Sequence, residues 1–149
     1  EKAMEAFRSI QPNGRPDIEN SRKYLEKALK KDEKFPEALR LMGVVERQDG
    51  NDSAAYAYFQ KALYANPMIS PTGVLLFEMT ELAMNNGWYD KALKNAGRFV
   101  KFKNANPDMI AVARMMMKNA EFGKNPIENP VDFDPMNVGA IWEGFYFIN

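Results

Sequence analysis

The segment from 36 to 69 constrains the fold most, because its pattern is that of two helices joined by a short turn. Its first half begins at Pro36, a residue that helices accept at their first position. A turn cluster follows at 49–52, and we expect Asp52 to cap the second helix. Asn66-Pro67 ends the unit, since the residue before a proline is pushed out of the helical region. The residues at helical spacing are Leu39, Met42, Gly43 and Glu46 in the first half and Ala55, Phe59, Ala62 and Leu63 in the second.

This helix pair resembles a tetratricopeptide repeat, a unit of 34 residues. The resemblance is carried by Leu39, Met42, Gly43, Ala55, Phe59, Ala62 and Pro67. It implies that Gly43, Ala55 and Ala62 lie where the two helices cross closely and that Phe59 fills the space between them. Glu46 departs from the family pattern, which has an aromatic residue at that position.

The flanking segments repeat the pattern more loosely and predict an all-α fold. Upstream, Ser21, Leu25, Ala28 and Leu29 keep the second-helix spacing, and Ala3, Phe7 and Ile10 keep part of the first helix. Downstream, the two helices carry Leu76, Met79, Ala83 and Gly87, then Ala92, Ala96, Phe99 and Val100. Thr80 replaces the small residue of the pattern, and Ser70-Pro71-Thr72 is inserted.

The predicted architecture is a tetratricopeptide-repeat solenoid of helix-turn-helix units. It has about three repeats and a capping helix (1–122), with a degenerate first repeat at 1–35, repeats at 36–69 and 70–106, and the capping helix at 107–122. We expect Gly123 to end that helix. Three methionines, Met115 to Met117, spread around the helix, so at least one of them should face outward.

The segment 123–149 has a different composition and predicts an extended tail or the start of a following domain. Pro126, Pro130 and Pro135 exclude a long helix. Five aromatic residues distinguish the tail from a disordered linker, and we expect them to pack on this chain's repeats, on a second copy or on a following domain. These residues are Phe133, Trp142, Phe145, Tyr146 and Phe147.

A second resemblance concerns residues 129–139. They are similar to a junction in a Bacteroidota family in which tetratricopeptide repeats precede a WD-type β-propeller and an OmpA-like peptidoglycan-binding domain. Some members of that family belong to the type IX secretion machinery at the outer membrane. The resemblance implies a periplasmic, outer-membrane-associated protein. The ending Gly144-Phe145-Tyr146-Phe147 does not match a first propeller strand.

Composition excludes several functions. The 149 residues include no Cys and no His, which removes thiol chemistry, zinc sites built on these residues and His-dependent catalysis. Twenty basic and twenty acidic residues argue against nucleic-acid binding. No apolar run is long enough for a membrane helix. Asp132 and Asp134 are the best remaining candidates for a Ca²⁺ site or an acid/base pair, but we interpret them as a solvated loop. We therefore expect no enzymatic activity, no cofactor and no metal.

The tetratricopeptide resemblance implies a concave groove, lined by the first helix of each repeat, that binds a protein or peptide partner. The groove residues that it implies are Glu37, Arg40, Leu41, Val44 and Arg47 in the second repeat, Phe77, Glu78, Glu81 and Met84 in the third, and Met115 and Lys118 in the capping helix. An extended peptide or a helix of mixed character suits these residues.

Three interpretations of function stay open. The leading one is a scaffold module of an outer-membrane complex, with no direct membrane insertion. A cytosolic adaptor or co-chaperone domain is the second, although Val44 stands where the chaperone-binding subset of the family requires Asn. The third is self-assembly into a homo-oligomer through the aromatic tail.

Overall fold

The computed structural model describes residues 17–125, and the helices within this range confirm the predicted all-α class. Their order in the chain is α1 (Ile18–Lys31), α2 (Pro36–Gln48), α3 (Asp52–Ala65), α4 (Val74–Asn85), α5 (Tyr89–Phe99) and α6 (Pro107–Lys124). No strand occurs in this range. The predictions for Ala3, Phe7 and Ile10 and for the five aromatic tail residues concern positions outside this range. No helix between residues 17 and 125 is both long and apolar enough to cross a membrane.

The helices pack in chain order, each against the next, and α4 also contacts α6. Three core clusters follow from this arrangement. The first joins α1 to α2 around Leu25 and Met42. The second joins α3, α4, α5 and α6 around Phe59 and Met79. The third joins α4, α5 and α6 around Phe99. Successive helices between residues 17 and 125 thus share one core cluster after another.

The crossing of α2 and α3 has the close approach that the sequence predicts. A Cβ atom added to Gly43 would lie 2.5 Å from two ring carbons of Phe59. Ala55, Phe59 and Ala62 are each 0% exposed. The missing side chain at Gly43 therefore creates the space that the aromatic ring of Phe59 occupies.

The start of α3 corrects one prediction. Asp52 is the first helical residue rather than the cap, which is Asn51 and makes no side-chain capping bond. The carboxylate of Asp52 instead accepts a hydrogen bond of 2.8 Å from Nδ2 of Asn86, in the turn between α4 and α5. The same amide nitrogen donates to the Leu82 carbonyl oxygen, also at 2.8 Å. The two turns are thereby joined through one side chain.

The end of α6 corrects a second prediction. Gly123 does not end the helix, which continues to Lys124. A Cβ atom on Gly123 would lie 2.5 Å from Cζ of Tyr89, so this glycine allows α6 to pack closely on the start of α5. Lys124 Nζ then lies 2.7 Å from Asp90 Oδ1, and this hydrogen bond raises the pKa of the lysine. The glycine serves packing between helices rather than helix termination.

The three consecutive methionines on α6 differ in their exposure. Met115 is 63% exposed, whereas Met116 and Met117 pack against the third cluster, which confirms that one of the three faces outward.

Thr80 is fully buried, and its hydroxyl donates to the Leu76 carbonyl oxygen at 2.8 Å. The hydroxyl is satisfied within its own helix, so a polar residue is accommodated where the repeat pattern has a small one.

Candidate protein-binding face

Six of the predicted groove residues come together on α2 and α4, and we call them the α2–α4 face. Val44 and Met84 are half-buried and pack against the same core cluster, so α2 and α4 present them over one region. Arg40 and Arg47 lie close enough to Glu78 to act on its charge, as does Glu81. The face consists of Arg40, Val44, Arg47, Glu78, Glu81 and Met84.

Glu78 is the most perturbed group on this face. Burial raises the pKa of its carboxyl above the ordinary value of 4.5. Arg47 and Arg40 lower that pKa and Glu81 raises it, but the cost of desolvating the charge is the largest effect. Among residues 17–125, no cationic nitrogen lies within the 4.0 Å of an ion pair with Glu78. Its charge is thus partly removed from water without direct neutralisation from this part of the chain.

The raised pKa predicts a pH-dependent stability. The folded chain binds the Glu78 proton more tightly than the unfolded chain, so the resulting stabilisation is present below pH 4.5 and is lost as the pH rises through the folded pKa. We therefore expect Glu78→Gln to raise the free energy of unfolding at pH 7, with the difference from wild type narrowing as the pH approaches 4. Urea denaturation across this range measures both effects. A variant less stable than wild type at pH 7 would contradict the assignment.

The other predicted groove residues are placed differently. Phe77 packs its ring against Phe99, with centroids 5.3 Å apart, and so takes part in the internal core. Glu37 and Leu41 line a separate cavity of about 730 Å³ between α1 and α2. Met115 and Lys118 are exposed on α6, and neither forms a hydrogen bond or ion pair with the α2–α4 face within the described range.

A charged network connects α1 to α2, and it was not predicted from the sequence. Arg22 donates from Nε to Glu46 Oε1 at 3.1 Å and from Nη2 to Asp49 Oδ2 at 2.8 Å. Asn51 Nδ2 donates to the other oxygen of Glu46 at 2.8 Å. The hydrogen bond to Asp49 raises the pKa of Arg22, Glu46 adds to this effect, and partial burial opposes it. This network explains how Glu46, only 8% exposed, replaces the aromatic residue of the repeat pattern.

One signal in the sequence could have revealed this network. A carboxylate on the buried side of a helix requires a cation or several donors. The spacing in α2 places Glu46 on that side, which implies a partner. Its identity does not follow, because Arg22 lies 24 residues earlier, on another helix.

Removal of the arginine should weaken the contact between α1 and α2. We expect Arg22→Ala to lower the free energy of unfolding by about 1–3 kcal/mol, because the carboxylate of Glu46 then loses its cationic partner while staying buried. Lys23→Ala, at an exposed neighbouring position, is the matched control and should change it by less than about 0.5 kcal/mol. Chemical denaturation measures both variants. Equal changes in the free energy of unfolding for Arg22→Ala and Lys23→Ala would mean that the network does not stabilise the fold.

The described residues contain no cluster of three or more acidic, His or Cys side chains that could hold a metal ion. The candidate pair Asp132 and Asp134 lies outside the described range. The α2–α4 face presents two cations, two carboxylates and the apolar side chains of Val44 and Met84.

Comparison with known proteins gives no match, either to a protein-family model or to a curated protein.

Proposed function

We propose that this chain is a tetratricopeptide-like scaffold that binds a segment of a partner protein on its α2–α4 face. The observation that carries the proposal is the set of charges there without ion-pair partners. Within residues 17–125, Arg40, Arg47, Glu78 and Glu81 form no ion pair, although Glu78 is half-buried. Burial raises the pKa of Glu78, and ionisable groups perturbed in this way cluster at functional sites.

The face defines the chemistry of the proposed partner. Arg40 and Arg47 suit a carboxylate, Glu78 and Glu81 suit a Lys or Arg, and the half-buried Val44 and Met84 suit an apolar side chain. An extended peptide or an amphipathic helix carries such groups at regular spacing. Binding would bring a cation to Glu78 and return its pKa toward the ordinary value, which favours charged residues in this partner over a purely apolar one.

A charge exchange tests this proposal. The double variant Arg47→Glu with Glu78→Arg keeps the net charge and exchanges one cation of α2 with one acid of α4. The proteins that co-purify with the full-length chain from its native cells are then compared by quantitative mass spectrometry. We expect the partner to be lost from the double variant and kept by the control variant Lys23→Glu with Glu26→Lys, which exchanges two exposed residues of α1. Equal recovery with both variants would refute binding at this face.

The location of this scaffold is a further part of the proposal. We propose a periplasmic module of an outer-membrane-associated complex, of the type IX secretion kind. The support is the sequence resemblance at 129–139, outside the described residues. Cell fractionation of the full-length protein tests it: recovery in the periplasmic or outer-membrane fraction is expected, and recovery in the cytosol would favour the adaptor interpretation. The self-assembly interpretation predicts instead a dimer that disappears when 123–149 are deleted.

A further inference from the structure

Two cavities lie on either side of the C-terminal half of α3 and meet at Gln60 and Tyr64. One cavity, of about 610 Å³, lies between α3 and the end of α1. The other, of about 400 Å³, lies between α3 and α5. We call their combined lining the tyrosine surface, after Tyr58 in the first cavity, Tyr56 in the second and Tyr64 in both. None of the six residues of the α2–α4 face lines either cavity, so the two surfaces are separate.

The tyrosine surface exposes a large side chain to an unusual extent. Tyr64, which lines both cavities, is 91% exposed. Asn95 forms part of the wall of the α3–α5 cavity and is held in place by a 2.7 Å hydrogen bond from its Nδ2 to Oη of Tyr56. The cavity therefore has a fixed polar wall beside an aromatic side chain that is open to a ligand.

The charge on this surface is positive. The α3–α5 cavity is lined by Lys94 and Arg98 and by no acidic residue. The α1–α3 cavity adds Lys34 and Lys61 against a single acid, Glu33. Lys61 Nζ also lies 5.5 Å from the centroid of the Tyr58 ring. An acidic segment with aromatic residues or prolines would match both features, because prolines and aromatic rings pack well on tyrosine-lined grooves.

The chain itself contains such a segment directly after α6. Residues 126–149 include four acids, Glu128, Asp132, Asp134 and Glu143, and no Lys or Arg. Pro126, Pro130 and Pro135 oppose helix formation there and favour an extended backbone. Charge and composition are thus complementary to the tyrosine surface.

The segment also starts within reach of that surface. Lys124 pairs with Asp90 at the start of α5, so the described part of the chain ends near this end of α5. Arg98 lies eight residues beyond Asp90 (90 to 98), which corresponds to about 12 Å along the helix. An extended chain covers roughly 3.3–3.6 Å per residue, so about four residues span this distance. The stretch from 126 to 134 is more than sufficient.

We propose that residues 126–134 of this chain bind the tyrosine surface of the same molecule, with Phe133 in the α3–α5 cavity. In this proposed contact, Asp132 and Asp134, the sequence neighbours of Phe133, pair with the exposed side chains of Lys94 and Arg98 at the rim of the cavity. This contact is independent of the proposed function, because it uses α3 and α5 rather than the α2–α4 face. It assigns to the tail a binding site on its own repeats.

Photo-crosslinking of the full-length chain tests the proposal. Tyr64 is replaced by p-benzoylphenylalanine, a substitution that its exposure makes harmless to packing. We expect a crosslink between position 64 and the peptide containing residues 126–134, in material that runs as a monomer and at a yield independent of protein concentration. The same probe at Val112, an exposed position on α6 that lines neither cavity, should not give this product.

Charge variants then test the proposed pairs. Lys94→Glu with Arg98→Glu should lower the crosslink yield by about threefold to tenfold, a modest factor because exposed ion pairs are weak. Asp132→Lys with Asp134→Lys should do the same, and the combination of all four changes should restore the yield. A crosslink found only in a dimer would assign the surface to the tail of a second copy and overturn the proposal. A crosslink to another protein alone, or none to 126–149, would overturn it as well.

Discussion

Replacement of Phe59 by alanine should lower the free energy of unfolding by about 3–5 kcal/mol, the usual cost of removing a fully buried aromatic side chain. Phe59 is 0% exposed and belongs to the cluster that connects α3 with α4 and α5. Its loss leaves a cavity that Gly43 is unable to fill. Urea denaturation monitored by helical circular dichroism measures the change.

Substitution of Gly43, which lies against Phe59, tests whether this effect arises at the close crossing of α2 and α3. In the wild-type chain, Gly43→Ala should destabilise, because its new Cβ atom would lie 2.5 Å from the Phe59 ring, and overpacking of this kind costs about 1–3 kcal/mol. In the Phe59→Ala background the obstacle is gone. Alanine should then stabilise α2 by up to about 1 kcal/mol through its better helix propensity. If Gly43→Ala has the same effect in both backgrounds, the two residues are not in contact.

The second large effect is expected at Gly73, immediately before α4. Gly73 has a φ of 76°, and an added Cβ atom would lie 2.9 Å from Phe99 and 3.0 Å from Phe102. Gly73→Ala combines a left-handed backbone, which costs roughly 1–2 kcal/mol for a residue with a Cβ atom, with overpacking against a fully buried ring at about 1–3 kcal/mol. We expect a total loss of about 2–5 kcal/mol, measured by chemical denaturation.

Two other glycines provide matched controls for Gly73. Gly50 and Gly87 have similar φ angles of 82° and 72°, but an added Cβ atom would meet no atom within 4 Å. Gly50→Ala and Gly87→Ala should therefore show the backbone effect alone, about 1–2 kcal/mol each. Equal losses at all three positions would mean that the contact with Phe99 contributes nothing.

The close approach of α2 and α3 was predictable because the tetratricopeptide resemblance implies small residues where two consecutive helices cross. The small residues Gly43, Ala55 and Ala62 mark the crossing of α2 and α3, and the structure places Phe59 there. Asp52 was assigned the wrong role, since an acid next to a turn is an equally good first helical residue. The preference of Gly for helix ends likewise gave way at Gly123 to its packing against Tyr89.

Contacts between residues that are far apart in the sequence, or in irregular segments, could not be predicted from helical spacing. The inserted Ser70-Pro71-Thr72 appears as an irregularity in the sequence, yet Ser70 Oγ accepts a hydrogen bond of 3.1 Å from the Leu75 backbone near the start of α4. The influence of Arg40 and Arg47 on Glu78 depends on how α2 and α4 lie relative to each other. The tyrosine surface combines residues of α3 with residues of α1 on one side and of α5 on the other, and no single-helix pattern indicates it.

The most direct measurement of the proposed function is a photo-crosslink from the α2–α4 face. The probe p-benzoylphenylalanine is placed at Val44 or at Met84 in the full-length protein, in its native cells, and the captured peptides are identified by mass spectrometry. The proposal predicts one partner protein, captured from both positions and lost when Arg47→Glu and Glu78→Arg are introduced together. Capture of this chain's own residues 126–149 from Val44 and Met84, with no other protein, would contradict it.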